Sequence, residues 1–396
     1  MDVFEHLQID KRYERWLAGT ADLALAPLAA INAWRQPAAN HEAPPRRVLL
    51  FRLERIGDLL MTLGAISAVR ARLPKAELRL VVGSWNAPLA RCIPAVDAVE
   101  TFDVPWLSRE RPGSTLRAAT AQSTAWRQHD YELAINFEPD IRSNALVAAS
   151  GARHRVGYAS GGGGGFLTVA LDYDRSIHSA ANAQRLVDEA LPAERYSPVV
   201  DASNAVPFVV PQSARETADH LLAAYRGNGP LVGINPGAGR LVKEWPPERF
   251  AAVAAALAAD AAATIVLLGG EGDRQQAEGV RQALPLDTAL VDLVGQAPLV
   301  DLAAVLSRLS VLITGDTGPA HLAAAVDTPV VTIFGPTDPN RYRPLTPRAE
   351  AVHADLWCRP CGRLRRPPAR CAHGAPDCLT GVETGAVLAA ARRYLA

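Results

Sequence analysis

The stretch "VLITGDTGPAHLAAAVDTPVVTIFG", residues 311–335, holds two apolar runs joined by an Asp-Thr-Gly junction and a short Ala-rich segment. "VLITGD" (311–316) and "PVVTIFG" (329–335) have strand length and β-branched content, and "PAHLAAAV" between them has helical composition. Strand, helix and strand in that order form the unit of a parallel sheet, whose strands are covered on both faces and therefore apolar throughout.

The same alternation extends outward. "LVGINPG" (231–237), "ATIVLLGG" (263–270) and "ALVDLVG" (289–295) precede it, separated by the helical segments "PPERFAAVAAALAAD", "DRQQAEGVRQAL" and "LVDLAAVLSRL". An earlier set comprises "VLLFRL" (48–53), "LRLVVG" (78–83), "AVETFDV" (98–104), "YELAINFE" (131–138) and "HRVGYA" (154–159). Helices from Ser179 to Leu191 and from Gln212 to Tyr225 bridge the two sets. This predicts an α/β chain of two doubly wound, Rossmann-like halves facing across a cleft, with ligands at the carboxyl ends of the strands. The expected organisation is an N-terminal helical extension and linker (1–45), a first domain (46–210), and a second domain (211–396) carrying a Cys-rich loop (358–378) and a C-terminal helix. "SGGGGGF", from Ser160, reads as a mobile loop, because glycine loses much backbone entropy in any fixed element.

Composition narrows the function classes. Lys plus Arg and Asp plus Glu balance at 41 each among 396 residues, so no global field draws the chain to nucleic acid. Five cysteines, four of them grouped, do not make a secreted disulfide framework, and "MDVFEHLQIDKRYERW" lacks a signal-peptide pattern, so a cytoplasmic location is expected. "WLAGTADLALAPLAAINAW" (16–34) contains Asp22 and Pro27 and suits either a helix packed on the body of the protein or one lying on the inner membrane, rather than a spanning helix.

Three strand-to-helix junctions carry chemistry. In "RLERIGDLLMTLGAI", Gly57 allows a turn and Asp58 opens a helix, as a cap of its amides or as a general base. In "NPGAGRLVKEWPPERF", Ala238 and Gly239 expose backbone amides and Lys243 supplies a mobile cation, a combination suited to a diphosphate or to an ordinary surface loop. In "GDTGPAH", Asp316, Thr317 and Gly318 set a carboxylate, a hydroxyl and free amides at a helix start, with His321 one turn on, either touching ligand or packed beneath. "FGPTDP" (334–339) closes the next strand and walls the same pocket. No G-x-G-x-x-G, Walker A, G-x-S-x-G or H-E-x-x-H pattern occurs at a junction, which weighs against dehydrogenase, NTPase, hydrolase and zincin readings. Cys358, Cys361, Cys371 and Cys378, spaced C-x2-C-x9-C-x6-C, suit either a structural zinc or iron site or no metal; four protein ligands would leave no open position for substrate.

Taken together, "RIGDLLMTLGAISAVRARLP", "NPGAGRLVKEWPPERFAAVAAAL" and "GDTGPAHLAAAVDTPVVTIFGPTDP" resemble the signature segments of the heptosyltransferase family, glycosyltransferase family 9. The resemblance runs from about Arg46 to the carboxyl terminus. It implies a GT-B fold and metal-independent, inverting transfer of a sugar, typically heptose from ADP-heptose, to a lipopolysaccharide core or related lipid-linked acceptor. It further implies that the first half takes the acceptor and the second the nucleotide sugar. Asp58 then matches the family's base, Lys243 its phosphate-contacting lysine, and Asp316, Thr317, Gly318 and His321 its donor loop, while Glu271 in "LGGEGD" lies near the family's ribose-binding acid. "GAGR" departs from the family in offering only backbone amides before the lysine. Cysteine clusters occur in iron-binding relatives that modify proteins, so a protein acceptor is an alternative, as are a GT-B nucleotide-sugar epimerase and a non-catalytic nucleotide-sugar-binding protein.

Overall fold

The computed structural model describes residues 4–35, 43–107, 115–196, 207–223, 225, 229–361, 371, 374 and 376–395. The chain divides into two compact units, Met1–Pro207 and Phe208–Ala396.

The first unit is built on a parallel sheet of six strands: β1 (Arg47–Arg52), β2 (Glu77–Val82), β3 (Ala98–Thr101), β4 (Leu133–Asn136), β5 (His154–Tyr158) and β6 (Val169–Leu171). Their order is β3-β2-β1-β4-β5-β6. Leu50 of β1 pairs with Leu80 on one side and Ile135 on the other, so β1 is central and every residue after Arg47 is buried. The chain winds outward from β1 to β3 and then returns to place β4 beside β1. The sheet therefore has its topological switch point between those two strands, where doubly wound folds bind ligands.

The second unit repeats the plan with β7 (Leu231–Asn235), β8 (Thr264–Leu267), β9 (Leu290–Asp292), β10 (Val311–Gly315), β11 (Val330–Phe334) and β12 (Ala349–His353), ordered β12-β11-β10-β7-β8-β9. Its switch point lies between β7 and β10, which pair Ile234 with Ile313 and Asn235 with Thr314. One side of the sheet is covered by the Pro247–Ala261 and Thr384–Arg392 helices, which bury Phe250, Leu257 and Val387 against Ile234, Ile313 and Ile333. Burial of a side chain of this size contributes about 1.5–3 kcal/mol.

Each unit gains a strand that sequence periodicity does not show. β6 and β12 are edge strands, short and partly exposed along their length, and lack the continuous apolar run of the central strands. The Gln212–Leu221 helix ends short of Tyr225.

The glycine run departs most from expectation. It is not a mobile loop: residues 160–163 and 165 are buried, and Gly164–Phe166 forms a short 3-10 turn. Ser160 O accepts from Gln8 N–H at 2.6 Å, Gly162 O from Asn144 Nδ2 at 2.9 Å, and Gly163 N–H donates to Asp22 Oδ1 at 2.6 Å. A Cβ on Gly161 would stand 2.0 Å from the Pro139 carbonyl oxygen, and one on Gly165 would stand 2.9 Å from that of Leu25. The missing side chains let the Arg12–Arg35 helix settle backbone-close onto the first unit, so burial offsets the entropy glycine loses. Ala18 of that helix joins Phe4, Leu7 and Ile141 in a small apolar cluster. Tyr13, Leu17 and Leu23 of that helix are more than half exposed, as is Trp16, whose ring also meets that of Phe4 edge-on at 5.3 Å.

Candidate functional site

The three loaded junctions fall at the two switch points. In the first unit, β1 ends on the buried Arg52, whose Nη1 donates to the Phe137 carbonyl at 2.6 Å, just beyond β4. The same guanidinium pairs with Glu54 (3.2 Å) and, through Nη2, with Asp58 Oδ1 (3.3 Å). Asp58 is the third residue of the six-residue helix Ile56–Met61, and its Oδ2 accepts the Arg55 N–H at 3.3 Å, so the carboxylate caps the helix start. With its side chain 27% exposed it is also open to a reactant. Gly57, the second residue of that helix, is half-buried.

Glu138, which sequence reasoning did not single out, lies beneath this group. It is 2% exposed, and its Oε1 accepts the N–H groups of Leu53 and of Glu54, the latter at 2.9 Å. Burial pushes its carboxyl up to about 8, with Glu54 adding to the shift and Arg52 opposing it. Three carboxyl groups surround one guanidinium here, and a proton on Glu138 lowers the excess negative charge. Trp85 Nε1 and Asn86 Nδ2 both donate to the Glu54 carbonyl, at 3.0 and 2.7 Å, fixing the turn from the other side.

In the second unit, Asn235 Nδ2 at the end of β7 donates to Thr314 Oγ1 on β10 at 3.0 Å, joining the two strands at the switch point. Beyond them, Lys243 Nζ lies 2.6 Å from Asp316 Oδ2, and Thr337 Oγ1 donates to that same oxygen at 2.6 Å. Asp316 is buried. A Cβ on Gly315 would stand 3.4 Å from the Lys243 carbonyl oxygen, so the two junctions pack closely at that glycine. Thr317 precedes the Gly318–Ala325 helix without capping it through its side chain; its hydroxyl lies instead 3.3 Å from that of Thr314. Pro319 has no N–H and the Ala320 N–H bonds the Thr317 carbonyl at 3.2 Å, so it is the Gly318 amide that this start offers to another acceptor, at the end of the dipole that favours an anion.

His321 is buried one turn into the helix. Ala238 is buried and Gly239 exposed in the loop after β7. Glu271 has an exposed side chain held by Arg274 Nε and Nη2 at 2.5 and 2.8 Å, a hydrogen-bonded pairing that lowers its carboxyl pKa. Asp273, two residues on, comes closer to the loop. A Cβ on Gly237 would meet its Oδ1 at 2.1 Å.

Of the Cys-rich loop, left open above between a metal site and none, residues 362–370, 372–373 and 375 lie outside the described residues. Cys378 is buried, Cys358 and Cys371 are half-buried and Cys361 is exposed. Burial, then the neighbouring Cys361, pushes the Cys378 thiol up to about 11, with Arg359 opposing the shift and Cys371 and Cys358 adding to it. Among the described residues, no three His, Cys, Asp or Glu side chains stand close enough to hold a metal ion.

This geometry, a carboxylate at one switch point and a lysine beside an open helix end at the other, coincides with a sequence match. The profile of glycosyltransferase family 9 (heptosyltransferase) matches residues 120–368, more than half of the chain. The chain belongs to this family.

A lipooligosaccharide heptosyltransferase 2 of Haemophilus influenzae is 26% identical over 315 residues, covering 75% of this chain and 85% of that protein. Lipopolysaccharide heptosyltransferase 1 of Escherichia coli is 26% identical over 311 residues, 74% of this chain and 89% of that one. The structure of E. coli ADP-heptose lipopolysaccharide heptosyltransferase II superposes with a TM-score of 0.70 over 88% of this chain and 98% of that chain, at 19% identity. A family 9 glycosyltransferase from Veillonella parvula gives 0.72 over 88% and 97%, at 22% identity. The two-domain GT-B fold follows from these superpositions, and this family 9 member is a glycosyltransferase of the heptosyltransferase group.

Proposed function

We propose that this family 9 enzyme transfers heptose from ADP-heptose, with inversion, to the core of lipopolysaccharide or a related lipid-linked acceptor. The observation that carries the reading is the convergence of Lys243 with the uncapped start of the Gly318–Ala325 helix at the switch point of the second sheet. A departing nucleoside diphosphate needs positive charge where its oxygens develop negative charge, and a lysine with the Gly318 amide at the positive end of a helix dipole supplies it without a divalent ion. Asp58, held by Arg52, takes the proton of the acceptor hydroxyl as its oxygen attacks the anomeric carbon opposite the leaving group. One displacement assisted by one base inverts the configuration. The H. influenzae and E. coli relatives, named for heptosyl transfer to lipooligosaccharide and lipopolysaccharide, support this choice of donor and acceptor.

The test is to incubate the purified protein with ADP-heptose and a heptose-free lipopolysaccharide core, then to detect the product by mass spectrometry. Transfer from another nucleotide sugar alone would redirect the donor reading. Transfer only to a polypeptide would redirect the acceptor.

We also propose that the Arg12–Arg35 helix rests on the inner membrane, where a lipid-linked acceptor lies. Tyr13, Trp16, Leu17 and Leu23 project outward beside the exposed Arg12, while Asp22 turns inward to Gly163 and Glu14 is tied to Lys11 at 2.8 Å, so the outward side suits an anionic lipid surface. Among the described residues, no helix is long and apolar enough to cross a membrane. Sedimentation with anionic and with zwitterionic vesicles tests this reading; equal, weak binding to both would refute it.

A further inference from the structure

The loop after β11, "GPTDP", reaches the Lys243–Asp316 pair through Thr337 and is itself gripped from behind. Arg359 Nε donates to the Gly335 carbonyl at 2.6 Å, its Nη2 to the Thr337 carbonyl at 3.4 Å, and its Nη1 to the Ala354 carbonyl just past β12 at 2.7 Å. Cys361 N–H adds a bond to the Pro336 carbonyl at 3.2 Å. On the other side, a Cβ on Gly335 would stand 2.8 Å from Leu379, so the loop is closely packed there as well.

One planar guanidinium thus spans the ends of two strands, a task that suits arginine's fixed fork and that the single ammonium of lysine cannot reproduce. Two of its three donors go to the backbone carbonyls on either side of Pro336, in the loop whose hydroxyl at Thr337 meets Asp316 Oδ2 at 2.6 Å, and the third goes to the Ala354 carbonyl. Asp316 Oδ2 in turn receives Lys243.

We infer that Arg359 is a positioning residue for the nucleotide-sugar site, acting through Thr337 on Asp316 and so on the lysine that meets the diphosphate. The inference rests on the reading of that site as the donor site. With the fork removed, the Gly335–Thr337 loop relaxes, Thr337 leaves Asp316, and the carboxylate is freer to hold Lys243 away from ligand.

The test uses the full chain and ADP as probe, with calorimetric binding and steady-state kinetics on Arg359→Ala, Arg359→Lys, Thr337→Val and the double variant Arg359→Ala/Thr337→Val. Arg359→Ala should weaken ADP binding and raise the donor KM about ten-fold, while the acceptor KM stays within about two-fold. Thr337→Val should act in the same direction, and the double variant should be no worse than Arg359→Ala alone, because both act through one contact. A merely structural arginine would not produce that non-additivity. Folded Arg359→Ala with ADP affinity within about two-fold of wild type, or losses that multiply in the double variant, would overturn the inference. If Arg359→Ala does not fold, Arg359→Lys is read by the same criteria. Wild-type protein that does not bind ADP would overturn the donor-site reading and this inference with it. Equal binding by wild type and variants overturns this inference alone.

Discussion

Lys243 Nζ and Asp316 Oδ2 stand 2.6 Å apart, 73 positions removed in sequence, as an ion pair on the mouth of the second sheet's switch point. The cation proposed to receive a diphosphate is therefore already neutralised in the protein alone. Lys243→Ala should lower kcat/KM for the nucleotide sugar by about 10²–10³, the range seen when one preorganised charge-stabilising group is removed. A loss below about three-fold in steady-state kinetics would rule the lysine out as a diphosphate contact.

Asp58→Asn keeps the shape of the side chain and its place at the helix start while removing the basic oxygen. The expected loss is about 10²–10⁴ in kcat. Affinity for ADP, measured by calorimetry, should be unchanged, since Asp58 belongs to the first unit. A comparable fall in ADP affinity would mean that the substitution acts through structure rather than through proton transfer.

Glu138 gives stability a pH dependence of defined sign. Its carboxyl is raised from an ordinary 4.5 to about 8 by burial, so across that window the folded protein holds a proton that the unfolded chain has lost. Its contribution is full below the lower value, declines as pH rises through the window, and is gone above the upper one. Urea unfolding from pH 5 to 9 should show this decline in the wild type and a flatter profile in Glu138→Gln. Parallel profiles would locate the pH dependence elsewhere.

The glycine floor makes a contrasting pair of substitutions. Gly161→Ala drives a Cβ to within 2.0 Å of a backbone carbonyl, and should lower stability by about 3 kcal/mol, the upper end of overpacking costs. Gly64→Ala, exposed near the start of the Leu63–Arg72 helix with nothing within 4 Å of the added carbon, should raise it by about 0.5 kcal/mol. Thermal melts that respond alike would show that the packing around Gly161 relaxes without loss.

What was legible in the sequence follows from what is local. Central strands such as β10 and β11 are buried on both faces, so their apolar runs announce them, and Asp58, Lys243 and Asp316 sit at junctions that short-range patterning marks. Arg52 and Glu138 lie 86 positions apart and meet only because β1 pairs with β4, a fact no window of sequence contains. Thr337 lay within a stretch recognised as a wall, but its bond to Asp316 depends on where β11 ends. Similarly, a glycine run is costly to order by itself; that Asp22, 141 residues earlier, would hold Gly163 was not readable from either segment. The thiols of the Cys-rich loop have metal-like spacing, and spacing alone does not show that Cys378 is buried while Cys361 is exposed.

The hydrogen bond from Asn235 to Thr314 ties the two strand ends that flank the proposed diphosphate position. The strand ends at that position are thus held in place by the protein's own side chains. On the proposed reading, selection among nucleotide sugars falls to residues other than this pair, which only holds the two strand ends together.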